Sequence, residues 1–386
     1  MDLLKRLFII VLFLIPLGEI VRLDFGNEIV VKPLDIAVGL LFISWLIFKF
    51  IKKEKIKQKY ILFPVIAFAT VGGLSLLINS FNLSFHQFFA SGMYLVRSVA
   101  YAGAFFLIGD FDRDFKRKID NLLLTIGTLV VGLGYLQYIF YSNAKSLLYF
   151  GWDEHMYRMF STFLDPNFAG IFFVLFFLFA INLFLKKKNI MVGLISIFTL
   201  GAIFLTFSRS ALIMLIVGSS LLFMFTNKKK MIIVLLSIIV LVLAISSKFF
   251  NIENINLFRV VSTEARLETA GNAIKIIQDN PFFGVGFNTY RYAQLRYGFR
   301  NDNALIVSHA DSGVDNSFLF VLATTGIIGI SSYLLLWFRI LKRYWTVPVI
   351  ASSVLGLFIS SFFINSLFYP PIMLWMWILL ATTERN

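Results

Sequence analysis

Up to residue 247 the sequence hardly leaves apolar ground. Stretches of about 15–22 apolar residues succeed one another, broken by short charged clusters, and three more follow residue 315. A hydrocarbon layer about 30 Å thick takes roughly 20 residues of helix to cross, because a helix rises about 1.5 Å per residue. Inside lipid every backbone amide must bond within its own element, so runs of this length predict helices. A β-barrel would show period-two segments of about ten residues, a pattern the sequence lacks. The expectation is an all-α polytopic membrane protein with about twelve transmembrane helices, near 7–22, 34–51, 60–79, 88–109, 122–142, 167–185, 190–206, 210–226, 231–247, 316–338, 346–364 and 371–383. Residues 1–247 then hold helices 1–9, residues 248–315 form one long extracytoplasmic loop containing a helix, and residues 316–386 hold helices 10–12. The first run follows Lys5-Arg6 as in a signal sequence, but no small-residue cleavage site follows, so it is read as a retained helix.

A net charge of +14 would suggest a nucleic-acid partner until the charges are placed. The breaks alternate between two sides. One side, including 52–59, 110–121, 186–189, 227–230 and 339–345, holds 22 of the 35 Lys and Arg against seven acids. The other side, including 19–35, 143–166, 207–210 and 248–316, holds 13 against 14. This is the positive-inside pattern, which puts the first side in the cytoplasm and explains the basicity without nucleic acid. The chain has no cysteine, which excludes disulfides and thiolate metal sites.

Chemistry-bearing side chains concentrate on the second side. Arg209, in "LTFSRSALIM", sits at a turn between two apolar runs. A guanidinium there either grips a phosphate with two parallel hydrogen bonds, or snorkels, or pairs with a loop carboxylate. Ser208 and Ser210 either bond the same anion or satisfy helix ends. Arg158 precedes a turn at Asp165-Pro166-Asn167 and could hold a second anionic charge, while Asp165 and Asn167 read equally as helix caps. Arg97, one or two turns inside the fourth run, either serves function or pairs with Glu19, Asp24 or Asp35.

The long loop carries the rest. "STEARLETAGNAIKIIQDNP" reads as a helix, with Leu267, Ala270, Ile274 and Ile277 on one face, Thr263 as a cap and Asn280-Pro281 as the stop. Arg266 in its first turn is disfavoured by the helix dipole, which hints at an anionic partner outside the helix; the alternative is a salt bridge to Glu264 or Glu268, although residues two apart do not face each other on a helix. "GVGFNTYRYAQLRYGFR" offers Gly284 and Gly286 for tight turns. Its Tyr290 and Tyr292 suit a polar substrate or acceptor, or else line the membrane surface. "SHADSGVDNSFLF" holds His309 and Asp315 as candidate proton acceptors, with Asn316 as substrate contact or helix cap. The sequence has no Walker loop, no dinucleotide fingerprint, no His/carboxylate metal spacing and no serine nucleophile elbow. Arginines plus one base, with neither metal nor cofactor, suit binding a diphosphate leaving group and deprotonating a hydroxyl.

At these residues the chain resembles the O-antigen ligase and polysaccharide polymerase family. The resemblance runs over about 150–335. It rests on "RMFSTFLDPNFAG", Ser208-Arg209-Ser210, "NPFFGVGFNTY" and "DNSFLFVLATTGIIGI", with the third and fourth together the most specific. It implies a multi-spanning, GT-C-like glycosyltransferase of the bacterial cytoplasmic membrane, with its active site on the extracytoplasmic face. The implied donor is a glycan on a polyprenyl diphosphate of the undecaprenyl type, with no nucleotide sugar, metal or other cofactor. Membrane lipids and other polysaccharide-assembly proteins are further implied partners. Family arginines that hold the diphosphate match Arg209 and Arg266. Ligases carry a histidine directly before the re-entry asparagine. This chain has Asp315 there and His309 six residues earlier, a form that looks more like the polymerase branch. The expected activity is therefore polymerisation of lipid-linked repeat units into O-antigen, capsule or exopolysaccharide. The alternatives are a ligase that moves the glycan to a lipid core or protein, and, from another class, a flippase.

Overall fold

The computed structural model describes residues 1–24, 30–249, 261–300 and 313–383. Each of the twelve apolar runs holds a helix: α1 (Asp2–Leu14), α2 (Pro33–Lys52), α3 (Lys59–Ile78), α4 (Phe85–Gly109), α5 (Arg113–Phe140), α6 (Pro166–Lys187), α7 (Ile190–Leu205), α8 (Arg209–Phe225), α9 (Lys230–Phe249), α12 (Ser317–Tyr344), α13 (Pro348–Ser360) and α14 (Pro370–Thr383). Between α9 and α12 lie two more helices, α10 (Val261–Asp279) and α11 (Tyr290–Arg296). The one sheet among the described residues is a two-residue antiparallel pairing, β1 (Leu23–Asp24) with β2 (Val30–Val31).

Among the described residues six helices are long and apolar enough to cross a membrane: α2, α3, α4, α5, α6 and α12. The apolar helices α7, α8, α13 and α14 and the apolar part of α9, Lys230–Val242, are shorter. α13, for example, has 13 residues, about 20 Å of rise. Length thus accounts for six crossings where twelve were expected.

The sequence fixes these boundaries by ordinary means. Proline stands at the start of α2, α6, α13 and α14, where its missing N–H costs nothing. Ser84, Asp112, Asp165, Asn189, Ser208 and Asn316 cap the helices that follow them. α6 is apolar on all sides and buried nearly throughout, so it forms the centre of the bundle. Trp375 of α14 meets Phe172, Phe176 and Phe179 of α6 edge-on.

Contacts among the described interhelical segments fall into two sets. In one, Lys49 pairs with Asp110 at 2.8 Å and Glu54 at 3.2 Å, Lys5 pairs with Asp112, and Tyr60 bonds Tyr344. In the other, Glu19 N donates to Thr162 O, Met159 N to Leu205 O, Ser317 N to Ser361 O, and Arg296 to Asn82 O.

α10 turns out differently from the expected face. Leu267 is 68% exposed and Ile274 is 47% exposed, while Ala273 and Ile276 are fully buried. The small Ala273 lets α10 lie close against Phe320 and Ala323 of α12, in a core that also takes in Val285, Tyr290 and Val314. Arg266 is seven residues before Ala273 and so shares the inward face. Thr263 lies inside the helix, which already runs from Val261.

α12 is broken at Gly326, whose φ of 65° and ψ of −169° are open to glycine alone. A continuous helix would bond the 327 and 328 amides to the 323 and 324 carbonyls. Here Ile327 N donates to Pro281 O and Ile328 N to Phe282 O, while the Ala323 and Thr324 carbonyls accept from Val285 N and Gly286 N. The segment 281–286 therefore supplies partners for these four backbone groups that the break releases, as an apolar interior requires. The approach is close on both sides. A Cβ at Gly326 would lie 2.2 Å from Phe282 O, and one at Gly284 (φ 63°) would lie 2.4 Å from the Thr324 carbonyl carbon.

Candidate functional site

Three helices begin at one place. The α6 start is capped by Asp165, whose carboxylate accepts from Asn167 N at 2.6 Å. The α8 start is capped by Ser208, whose hydroxyl donates to Asn167 Oδ1 at 3.0 Å and lies 3.1 Å from Ser210 Oγ. The two turns are thus one hydrogen-bonded unit. Gly170 makes this possible, because a Cβ there would stand 2.7 Å from Ala211 Cβ. The α12 start is capped by Asn316, whose Oδ1 accepts from Phe318 N and Leu319 N. Asp315, one residue earlier, feels the charge of Asp165, which brings the third helix start to the other two. Helix starts carry partial positive charge and outward-facing amides.

Arg209 is the first residue of α8, and its charge bears on that of Arg266 from α10. Arg266 Nε lies 3.5 Å from Asp315 Oδ2. Asp315 keeps 48% of its side chain accessible. Burial nonetheless pushes its carboxyl above the ordinary aspartate range. The Arg266 guanidinium pulls it back down, and Asp165 pushes it up again. The cluster therefore offers two guanidiniums and a carboxylate of raised basicity side by side.

Other expected residues take other places. Arg158 is 4% exposed, with Nε donating to Thr206 O at 2.9 Å and its terminal nitrogen to Asn167 Oδ1 and Phe207 O. It pins the backbone of the turn that presents Arg209, where Phe207 has a φ of 48°. Tyr290 is wholly buried, against Phe320, with its hydroxyl on Thr269 O, and burial pushes its phenol up. Tyr292 is half-buried on α11. Asn316 caps α12. His309 lies outside the described residues.

A second charged cluster went unforeseen as a whole. Asp35 accepts from Tyr101 at 2.8 Å and pairs with Arg97 at 3.7 Å, and Arg97 lies over the Tyr94 ring. Lys32 pairs with buried Glu19 and lies over Tyr369. The spacing of Arg97 and Tyr101, four residues apart on one helix face, was the available signal for part of it.

Fold and site together define a multi-pass α-helical membrane protein with two arginines and an aspartate clustered at one end of its bundle. Residues 194–334 match the model of the O-antigen ligase family (Wzy_C). The match takes in Ser208-Arg209-Ser210, Arg266, Asp315 and both glycines at the α12 break, and begins after Arg158 and Asp165. No curated protein matches the chain.

Proposed function

We propose that the protein polymerises lipid-linked oligosaccharide repeat units on the outer face of the bacterial cytoplasmic membrane. The observation that carries the proposal is the pairing of like charges. Arg209 and Arg266 bear on each other beside Asp315, where three helices begin. A diphosphate would take hydrogen bonds from both guanidiniums and gain the helix dipoles.

In this reading Arg209 and Arg266 hold the diphosphate of the donor glycan, and Arg158 keeps the Arg209 turn in place. Asp315 accepts the proton of a sugar hydroxyl on the second chain. The hydroxyl oxygen attacks the anomeric carbon, the bond from that carbon to the diphosphate breaks, and its electron pair leaves with the diphosphate oxygen. The guanidiniums neutralise the charge that develops there, the form of stabilisation that contributes most in many enzymes. Direct attack inverts the anomeric carbon. His309 is the alternative proton acceptor, Tyr292 and Asn316 belong to the acceptor side, and Tyr290, buried, supports the α10–α12 packing behind it.

The ligase reading is favoured by the family's own description. Reconstitution of the full chain with purified polyprenyl-diphosphate repeat units separates the two. A ladder of longer lipid-linked chains is the expected result. Product formed only after addition of an acceptor lipid or protein would replace polymerase by ligase. Movement of the lipid across the bilayer with no new bond would replace both by a flippase.

A further inference from the structure

The break in α12 and the two glycines that meet there have no part in the chemistry above. They nevertheless connect its residues. Arg266 stands on α10, which runs directly into segment 281–286, and Asp315 stands at the start of the outer half of α12. The four backbone bonds between 281–286 and 323–328 join these two elements, with Gly284 and Gly326 each fitting where the other's backbone passes. α3 then holds the junction from the other side. Ser75 Oγ lies 2.6 Å from Phe283 O and 2.8 Å from Thr324 O, so it bridges the two strands of the junction. Asn79 Nδ2 donates to Gly284 O at 3.0 Å and to Ser75 O at 2.9 Å. Ser75 and Asn79 are both buried. An unbroken α12 would leave 281–286 without partners and would separate Arg266 from Asp315.

We propose that this glycine-paired junction, clamped by Ser75 and Asn79, is the mount that sets Arg266 and Asp315 relative to each other and to the bundle. Asn79, Ser75, Gly284 and Gly326 are thus positioning residues for the reaction. The catalytic consequence rests on the polymerase reading. The mechanical one does not.

The natural chain has no cysteine, so spin labels can be placed at will. Leu77→Cys on α3 and Ile274→Cys on α10 lie at exposed positions on either side of the junction. In the labelled full chain, reconstituted in bilayers, one narrow distance distribution is expected. Gly326→Ala and Gly284→Ala should broaden it and slow turnover about tenfold or more, since misplacement by an ångström is costly to catalysis. Asn79→Ala, which alters no backbone geometry, should broaden it less and slow turnover by about threefold. A second readout is the acid limb of the pH–rate profile. Asp315 faces Arg266 from α10 and Asp165 ahead of α6, with Arg209 beside Arg266. If Arg266 is loosened, burial and Asp165 act alone, and the limb moves to higher pH.

Unchanged distances in well-folded Asn79→Ala and glycine variants overturn the proposal, as does broadening with parental turnover and an unmoved limb. A parent chain that turns over no lipid-linked units sinks the polymerase reading only, because the label distances still decide whether the junction holds.

Discussion

Two arginines interrupt apolar runs near the same end of the bundle, and they are held in opposite ways. Arg97 has a carboxylate at 3.7 Å, a tyrosine ring below it, and a further attraction from Glu19. Arg209 has another guanidinium bearing on it. The first arrangement compensates the charge within the fold; the second, on the proposed reading, sets two cations where an anion would bind. On the proposed reading the same residue type in the same kind of sequence context serves two purposes, and the neighbours distinguish them.

Three measurements can break this contrast. The largest effect is expected at Arg209. Arg209→Ala should accumulate normally and lose turnover by roughly 10²–10³, with Arg209→Lys intermediate because an ammonium lacks the two-point grip. Near-parental activity in well-expressed Arg209→Ala would make it a snorkelling residue and erase the distinction.

Arg97→Ala should do the reverse. It leaves Asp35 without its cation, so thermal unfolding in detergent should show a loss of about 2 kcal/mol, below the range for fully buried pairs because both side chains keep some exposure. Turnover per folded molecule should stay near the parent's. A stable Arg97→Ala protein with lost turnover would move Arg97 to the reactive side of the contrast.

The smallest effect is a shift in pH dependence. A general base works deprotonated, so activity falls as pH drops through the carboxyl's raised value. Arg266→Gln removes the guanidinium that lowers it, leaving burial and Asp165 to raise it further. The acid limb should therefore move to higher pH, on top of weaker donor binding. A limb unmoved by Arg266→Gln and still present in Asp315→Asn would reassign the base.

The sequence disclosed the helices better than their relations. Apolar runs are local, so every one of them holds a helix. Asp165, Ser208 and Asn316 were legible as caps because a cap acts within three residues of itself. The partner of Arg266 was not. Glu264 and Glu268 were the local candidates, whereas Asp315 comes 49 positions later, across a break in α12 that no periodicity announces. Arg97 lay between these cases: Asp35 was among the candidates named for it, but the choice depends on how α2 and α4 pack. For α10, a stripe of larger residues suggested the wrong face, because close approach to α12 selects the small Ala273 and the stripe of Ile276 instead.

The broken helix also bears on how such a chain is made. A span delivered to lipid from the translocon is stabilised by its own backbone bonds, and the outer nine residues of α12 lack enough length to span lipid without the rest. Their missing partners are the residues from Pro281 to Gly286, which leave the ribosome earlier. Order of synthesis thus delivers the template before the element that needs it. A circular rearrangement that placed α12 ahead of α10 would present the membrane with a helix interrupted at Gly326 and nothing yet in place to close the gap.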